Sequence, residues 1–103
     1  MLEIKVNLEG KRAVVMVSGE LGENGAEEFK GQLTPLLTKQ LSEVVIDMNG
    51  VDYMGSSAIG KILLFYKNFA VSGGSLQVIN LAAHLLELFT ELKLNTLFSI
   101  SGR

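Results

Sequence analysis

The hydrophobic periodicity of this chain switches between two residues and three to four residues. Apolar and polar side chains alternate from Leu2 to Glu9, as in a strand with one solvated face. A β-branched apolar run from Ala13 to Val17 follows a short turn, so these segments predict an N-terminal hairpin. After Gly22 the spacing becomes that of an amphipathic helix. Its apolar residues are Ala26, Phe29, Leu33, Leu36, Leu37 and Leu41.

Pro35 interrupts this first helical pattern. A proline inside a continuous helix costs about 3 kcal/mol, because it removes one backbone hydrogen bond and clashes with the preceding turn. We therefore expect a break at Pro35, with the Thr34 side chain capping a second short helix.

The rest of the chain repeats the alternation of strand and helix. The apolar run Val44 to Met48 predicts a buried central strand, followed by a turn at Asn49-Gly50. A second helix begins at the serine pair Ser56-Ser57. The remaining predicted elements are a strand at 76–79, a helix at 81–92 that buries Leu85, Leu88, Phe89 and Leu92, and an edge strand at 97–100. The order β-β-α-β-α-β-α-β predicts an α/β fold in which helices pack mainly on one face of a mixed sheet, as a single domain over residues 1–103.

Composition excludes several kinds of chemistry. The 103 residues include one histidine and no cysteine, so a zinc ribbon, a cysteine nucleophile and a histidine-rich metal site are ruled out. The net charge is −2 and no basic block exists, which argues against nucleic-acid binding. No apolar run approaches the roughly 20 residues that cross a bilayer. We expect a cytoplasmic protein without a metal or cofactor.

The stretch from Val44 to Gly60 resembles the signature of the STAS domain in bacterial anti-sigma factor antagonists. Similar family features occur at Val17 to Leu21, which ends the hairpin, and at the Gly73-Gly74 turn. These features follow one another in the family's order, so the resemblance covers essentially the whole chain. It implies a STAS fold and a non-enzymatic function in signal transduction.

The resemblance also implies a partner-switching mechanism. Members of the family bind an anti-sigma factor that is also a serine kinase, and phosphorylation by that kinase ends the association and so regulates transcription. A serine phosphatase is the expected further partner. The phosphorylated residue corresponds to Ser56, with Ser57 as the alternative site and the expected helix cap. The implied partner-binding residues are Gly22, Tyr53, Met54, Gly55, Ser56, Ser57 and Ala58.

Three residues depart from the family pattern. Gly22 and Gly55 stand where the family usually has aspartate, and Ala58 stands where it usually has glycine. With glycine at these two positions, the chain lacks two carboxylates that the family usually has beside the expected phosphorylation surface. We expect none of the three residues to lie in the core.

Other readings of these residues remain open at this stage. Serine is a good helix cap, so the serine pair has a purely structural explanation. Tyr53 and Met54 fit a contact surface and the core equally well. Asp52 is expected only to shape its loop, and His84 to lie at the surface without an acidic partner. Two alternative functions keep the same fold: a stressosome-like scaffold subunit, and a sensor of a nucleotide or lipid in a groove lined by Tyr53, Met54 and the second helix. The oligomeric state stays open.

Overall fold

A computed structural model describes all residues, 1–103, as a five-stranded sheet with three α-helices. The strands are β1 (Glu3–Glu9), β2 (Arg12–Leu21), β3 (Glu43–Met54), β4 (Ser75–Leu81) and β5 (Ser99–Gly102). The helices are α1 (Glu23–Leu33), α2 (Ser56–Val71) and α3 (Ala83–Glu91), with short 3₁₀ segments at Thr34–Thr38 and Leu94–Thr96. The predicted α/β order is confirmed.

The strands lie side by side in chain order, with β3 in the centre. The hairpin pairs β1 with β2 in antiparallel register, and Glu9 lies opposite Arg12 at its turn. The pairs from β2 to β5 are parallel, so a helix crosses over between each strand and the next. The sheet is therefore mixed, as predicted.

The core lies between one face of the sheet and the three helices. Alternate residues of β2, such as Ala13 and Val15, belong with Phe29 of α1 and Phe89 of α3 to one cluster of 27 buried residues. The opposite face of the sheet carries no helix. Even so, Val45 on that face is buried, because its strand is central and has neighbours on both sides. The prediction of an interior strand at Val44 to Met48 is confirmed.

The predicted turn at Asn49-Gly50 is wrong, because β3 continues through both residues to Met54. Against β2, β3 contains one extra residue between Asp47 and Gly50 and a second between Val51 and Tyr53. Gly50 is required at the first bulge, since a Cβ there would collide with Ser18 of β2. The Asn49 amide donates to the Asp47 carboxylate over 3.0 Å, which fixes this local conformation.

The break at Pro35 is confirmed, but the predicted cap at Thr34 is wrong. Helix α1 ends at Leu33, and Pro35 lies in the first turn of the following 3₁₀ segment. The Thr34 hydroxyl donates back to the Lys30 carbonyl over 2.9 Å and caps nothing. The Thr34 amide donates to the same Lys30 carbonyl, so the hydroxyl adds a second bond at the end of α1.

Helix α2 ends at the predicted glycine turn. Gly73 has φ +85°, and its amide donates to Ala70 while the Gly74 amide donates to Phe69, the bonding pattern of a Schellman motif. Helix α3 is shorter than predicted, because Leu81 ends β4 and Leu92 lies beyond the last turn with its side chain exposed. None of the helices combines the length and apolar character needed to span a bilayer.

Candidate functional site

Both serines lie within the first turn of α2. Gly55 occupies the N-cap position in extended conformation, at φ −83° and ψ 168°, and Ser56 and Ser57 are the first two helical residues. The predicted capping role of the serines is therefore wrong, because no side chain bonds to the helix start. Both side chains are exposed, and neither hydroxyl takes part in a hydrogen bond. Two free hydroxyls are thus presented to solvent.

Backbone contacts determine where α2 begins. The Gly55 amide donates to the Leu21 carbonyl at the end of β2 over 2.9 Å. The Gly55 carbonyl then accepts from the Ala58 and Ile59 amides at 3.1 and 3.3 Å, which closes the first turn. Because Ala58 and Ile59 are buried, the next two positions of α2 anchor the turn in the core and leave the serines outside.

The serines border an open, polar depression between the starts of α1 and α2. Its lining combines two hydroxyls, two carboxylates, one phenol and one amine. The lining residues are Glu23, Glu27, Tyr53, Gly55, Ser56, Ser57 and Lys61. The depression thus contains one cationic and two anionic side chains.

An ion pair joins α1 and α2 at the edge of this depression. The Lys61 Nζ lies 2.9 Å from the Glu27 Oε2, and the Lys61 side chain is only 23% exposed. The hydrogen bond from Lys61 and its positive charge lower the pKa of Glu27 below the ordinary value of 4.5, and Lys30 contributes to the same effect. Glu27 is therefore ionised at neutral pH and holds the Lys61 ammonium group.

The two glycines that depart from the family pattern occupy equivalent positions. Gly22 is the N-cap of α1, as Gly55 is of α2, and both have extended backbones with negative φ. A Cβ on Gly22 would lie 3.9 Å from the Tyr53 ring, and one on Gly55 would lie 3.4 Å from the Tyr53 hydroxyl. An aspartate side chain thus has room at position 22, and it has room at position 55 if the Tyr53 side chain shifts slightly.

The structure brings together five of the seven residues predicted to bind a partner: Gly22, Tyr53, Gly55, Ser56 and Ser57. Tyr53 is 53% exposed and contributes a free aromatic surface. Met54 and Ala58 are 6% and 0% exposed, so their side chains belong to the core and cannot form part of a contact surface. The expectation that Ala58 lies outside the core is wrong, because the first turn of α2 packs directly on the sheet.

Sequence reasoning missed three residues of the depression: Glu23, Glu27 and Lys61. Lys61 was detectable in principle, because it follows Ser57 by four residues and such positions share one face of a helix. The two glutamates come from α1, and their approach to α2 depends on how the helices pack. No local pattern indicates that approach.

The other candidate polar residues lie in a separate group around Asp52. The His84 Nε2 is 2.7 Å from the Asp52 carbonyl oxygen, and the Arg103 Nη2 is 3.0 Å from the Asp52 carboxylate. Asp52 is thus held by two distant parts of the chain, and the expectation that it lies in a loop is wrong, because it belongs to β3. His84 is exposed, as predicted, and bonds to backbone rather than to a serine hydroxyl.

Comparison with known proteins identifies a matching family model and a related protein. A family model described as "Mlab, STAS domain" matches residues 4–99. The anti-sigma-B factor antagonist of Bacillus subtilis is 30% identical over 89 residues, which cover 86% of this chain and 81% of that protein.

Solved structures share the fold at low sequence identity. An anti-sigma factor antagonist from Mycobacterium paratuberculosis superimposes with a TM-score of 0.88 at 18% identity, over 100% of this chain and 87% of that one. The Bacillus cell fate determinant SpoIIAA, in its phosphorylated form, gives a TM-score of 0.78 at 14% identity, over 95% of this chain and 90% of that one. With a family model that spans nearly the whole chain, these likenesses show that the protein has the STAS fold and belongs to the family of anti-sigma factor antagonists.

Proposed function

We propose that this protein is a phosphorylation-switched antagonist that binds an anti-sigma factor through the surface around Ser56 and is released when Ser56 is phosphorylated. One observation carries the proposal: the Ser56 hydroxyl is exposed and unbonded at the start of α2, beside an open depression. A kinase can reach this hydroxyl without unfolding any part of the domain.

Charge explains how the modification would act. Glu23, Glu27 and Lys61 give the depression a net charge of −1. A phosphoserine adds about −1.5 to −2 at neutral pH, so the local charge becomes roughly −3. A partner surface that packs against the uncharged Ser56 hydroxyl then meets a larger, strongly hydrated anion, and any carboxylate of the partner beside it is repelled. The switch thus works through the electrostatics of the surface, with the fold unchanged.

The residues around the serines fit an acceptor of phosphate rather than an enzyme. A nucleophilic serine needs a base within hydrogen-bond reach and a third group that orients the base. The Ser56 hydroxyl has no hydrogen-bonded partner, and the only histidine, His84, bonds to the Asp52 carbonyl. The anti-sigma factor would supply the kinase activity, and a serine phosphatase would restore the free hydroxyl.

The structure gives less support to the ligand-sensing alternative. That function requires an apolar groove lined by Tyr53, Met54 and α2. Met54 is buried in the core, and the depression beside Tyr53 is lined mostly by polar residues. No observation specifically favours the scaffold alternative.

Incubation with the cognate anti-sigma factor and ATP, followed by intact-mass and peptide analysis, tests the proposal. We expect one phosphate, located on Ser56 and absent from the Ser56→Ala variant. Ser72→Ala is a matched control, because Ser72 is an exposed serine at the opposite end of α2. Phosphate confined to Ser57, or none when the kinase modifies another substrate, would contradict the assignment.

A further inference from the structure

Lys61 differs from the other lysines in its position between two surfaces. Its side chain borders the serine depression on one side. On the other side it borders an apolar groove between α1 and α2, which includes Leu33 and Leu64. Its ammonium group bonds to Glu27 of α1, so the same side chain links the two helices.

We propose that Lys61 binds the phosphoryl group of phosphorylated Ser56 and releases Glu27 as it does so. This inference rests on the proposed function, because it assigns a role to Lys61 only once Ser56 carries phosphate. It makes Lys61 the residue of this chain that determines how readily the depression accepts the modification.

The Lys61 ammonium group would leave the Glu27 carboxylate for the phosphate on Ser56 because the phosphate carries more negative charge. At equal distance, the attraction of an ammonium group to a phosphate of charge about −2 is roughly twice its attraction to a carboxylate. Both anions border the same depression, so the ammonium group can exchange one for the other without crossing the fold. Glu23 and Glu27 would repel the phosphate, and Lys61 is the only cationic residue of the depression that can offset this repulsion.

The exchange would also alter the surface beyond the serines. Loss of the Lys61–Glu27 bond removes the ion pair between α1 and α2, and it leaves the Glu27 carboxylate free. The end of the apolar groove that Lys61 borders then changes its charge and shape. A partner that covers both the depression and this groove would thus meet two changes on phosphorylation: the phosphate itself, and the altered charge and shape at the end of the groove.

The test uses protein with phosphoserine incorporated at position 56 during translation, so that it requires no kinase. Titration followed by ³¹P NMR gives the second pKa of the phosphate. We expect Lys61→Gln to raise this pKa by roughly 0.3 to 0.7, because the dianion loses its cationic partner. Lys61→Arg should restore the original value. Lys67→Gln is the matched control, because Lys67 is an exposed lysine of α2 that does not border the depression.

Repeating the titration at high salt distinguishes direct contact between Lys61 and the phosphate from a long-range effect of the lysine charge. Between exposed charges a long-range effect is screened at high salt, whereas a contact pair is screened much less. The effect of Lys61→Gln should therefore persist at high salt. Equal values for the Lys61→Gln and Lys67→Gln proteins, or a difference that vanishes at high salt, would overturn the inference. A failure of the kinase to modify Ser56 would instead contradict the proposed function and leave this result unchanged.

Discussion

The Arg103 guanidinium reaches back along the sheet to Asp52, with Nη2 3.0 Å from the carboxylate oxygen. The same nitrogen also donates to the Val51 carbonyl over 3.0 Å. Arg103 is itself held by a bond from its amide to the Leu81 carbonyl. The residue that follows β5 therefore positions the end of β3, just before Tyr53 and the serines.

We expect Arg103→Gln to lower the free energy of unfolding by about 1 kcal/mol, because the partly buried Val51 carbonyl loses its donor. The Asp52→Asn variant removes the charge but keeps the carbonyl bond, and an exposed ion pair contributes little. We expect it to stay within about 0.5 kcal/mol of the natural protein. Urea denaturation measures the change in unfolding free energy for both variants. A cost for Asp52→Asn as large as that for Arg103→Gln would show that the ion pair is the more important contact.

Ser56→Asp should weaken binding to the anti-sigma factor, while Ser56→Ala should leave it intact. Because neither serine caps α2, both variants should also unfold within about 0.5 kcal/mol of the natural protein. Calorimetric titration measures the affinities. Asn7→Asp is the charge control, since it adds one negative charge on the helix-free face of the sheet. Equal affinities for Ser56→Asp and Asn7→Asp would argue against a switch at Ser56.

Gly55→Asp should strengthen binding to, or phosphorylation by, a kinase that recognises the usual family pattern. The position is an N-cap, so aspartate should also stabilise α2 by a few tenths of a kcal/mol. Gly55→Asn separates the two effects, because it caps equally well without the charge. Both variants are compared with one such kinase at low and high salt. If Asp is no better than Asn at either ionic strength, the missing carboxylate has no role in recognition.

The Glu27–Lys61 pair should make a pH-dependent contribution to stability. Because Lys61 lowers the pKa of Glu27, the contribution is complete above the ordinary value of 4.5 and is lost as the pH falls through the lower folded-state value. The difference in unfolding free energy between the natural protein and Lys61→Gln should therefore shrink in acid. Urea denaturation over a pH series measures it, with Glu27→Gln as the reference that lacks the titrating group. A difference that stays constant through this range would contradict the assignment.

Ala58→Gly, which introduces the usual family residue, should destabilise the protein without weakening partner binding. Glycine in a helix costs about 1 kcal/mol relative to alanine, and loss of the buried methyl group adds to this. Because Ala58 is 0% exposed, its side chain cannot touch a partner. Thermal unfolding and calorimetric titration measure the two quantities. A lower affinity with unchanged stability would show that this turn contacts the partner directly.

Periodicity predicted the elements of the fold because the sheet buries one face and each helix buries one stripe. Val15 and Phe29 are both fully buried, and the apolar residues near them in the sequence recur at the spacing of a strand and of a helix, respectively. The break at Pro35 was predictable for a local reason, since its ring prevents a continuous helix. Such features need no knowledge of distant contacts.

The errors fall where distant contacts decide the local structure. Asn49-Gly50 has the composition of a turn, yet Gly50 packs closely against Ser18 and continues the strand. The exact start of α2 follows from the bond between the Gly55 amide and Leu21, thirty-four residues earlier in the chain. Likewise, Glu27 joins the site only because α1 packs beside α2. The serine pair was recognisable, whereas its charged surroundings were not.

The two bulges of β3 limit how the length of this segment can vary during evolution. Because of them the buried residues Met48, Val51 and Met54 are three positions apart, whereas a regular strand would bury every second residue. Deletion of one residue from 49–53 would move Met54 to the exposed position of Tyr53 and Gly55 to the buried position of Met54, and it would draw the serines inward. Relatives that keep this site should therefore vary in the identity of residues 49–53 and rarely in their number.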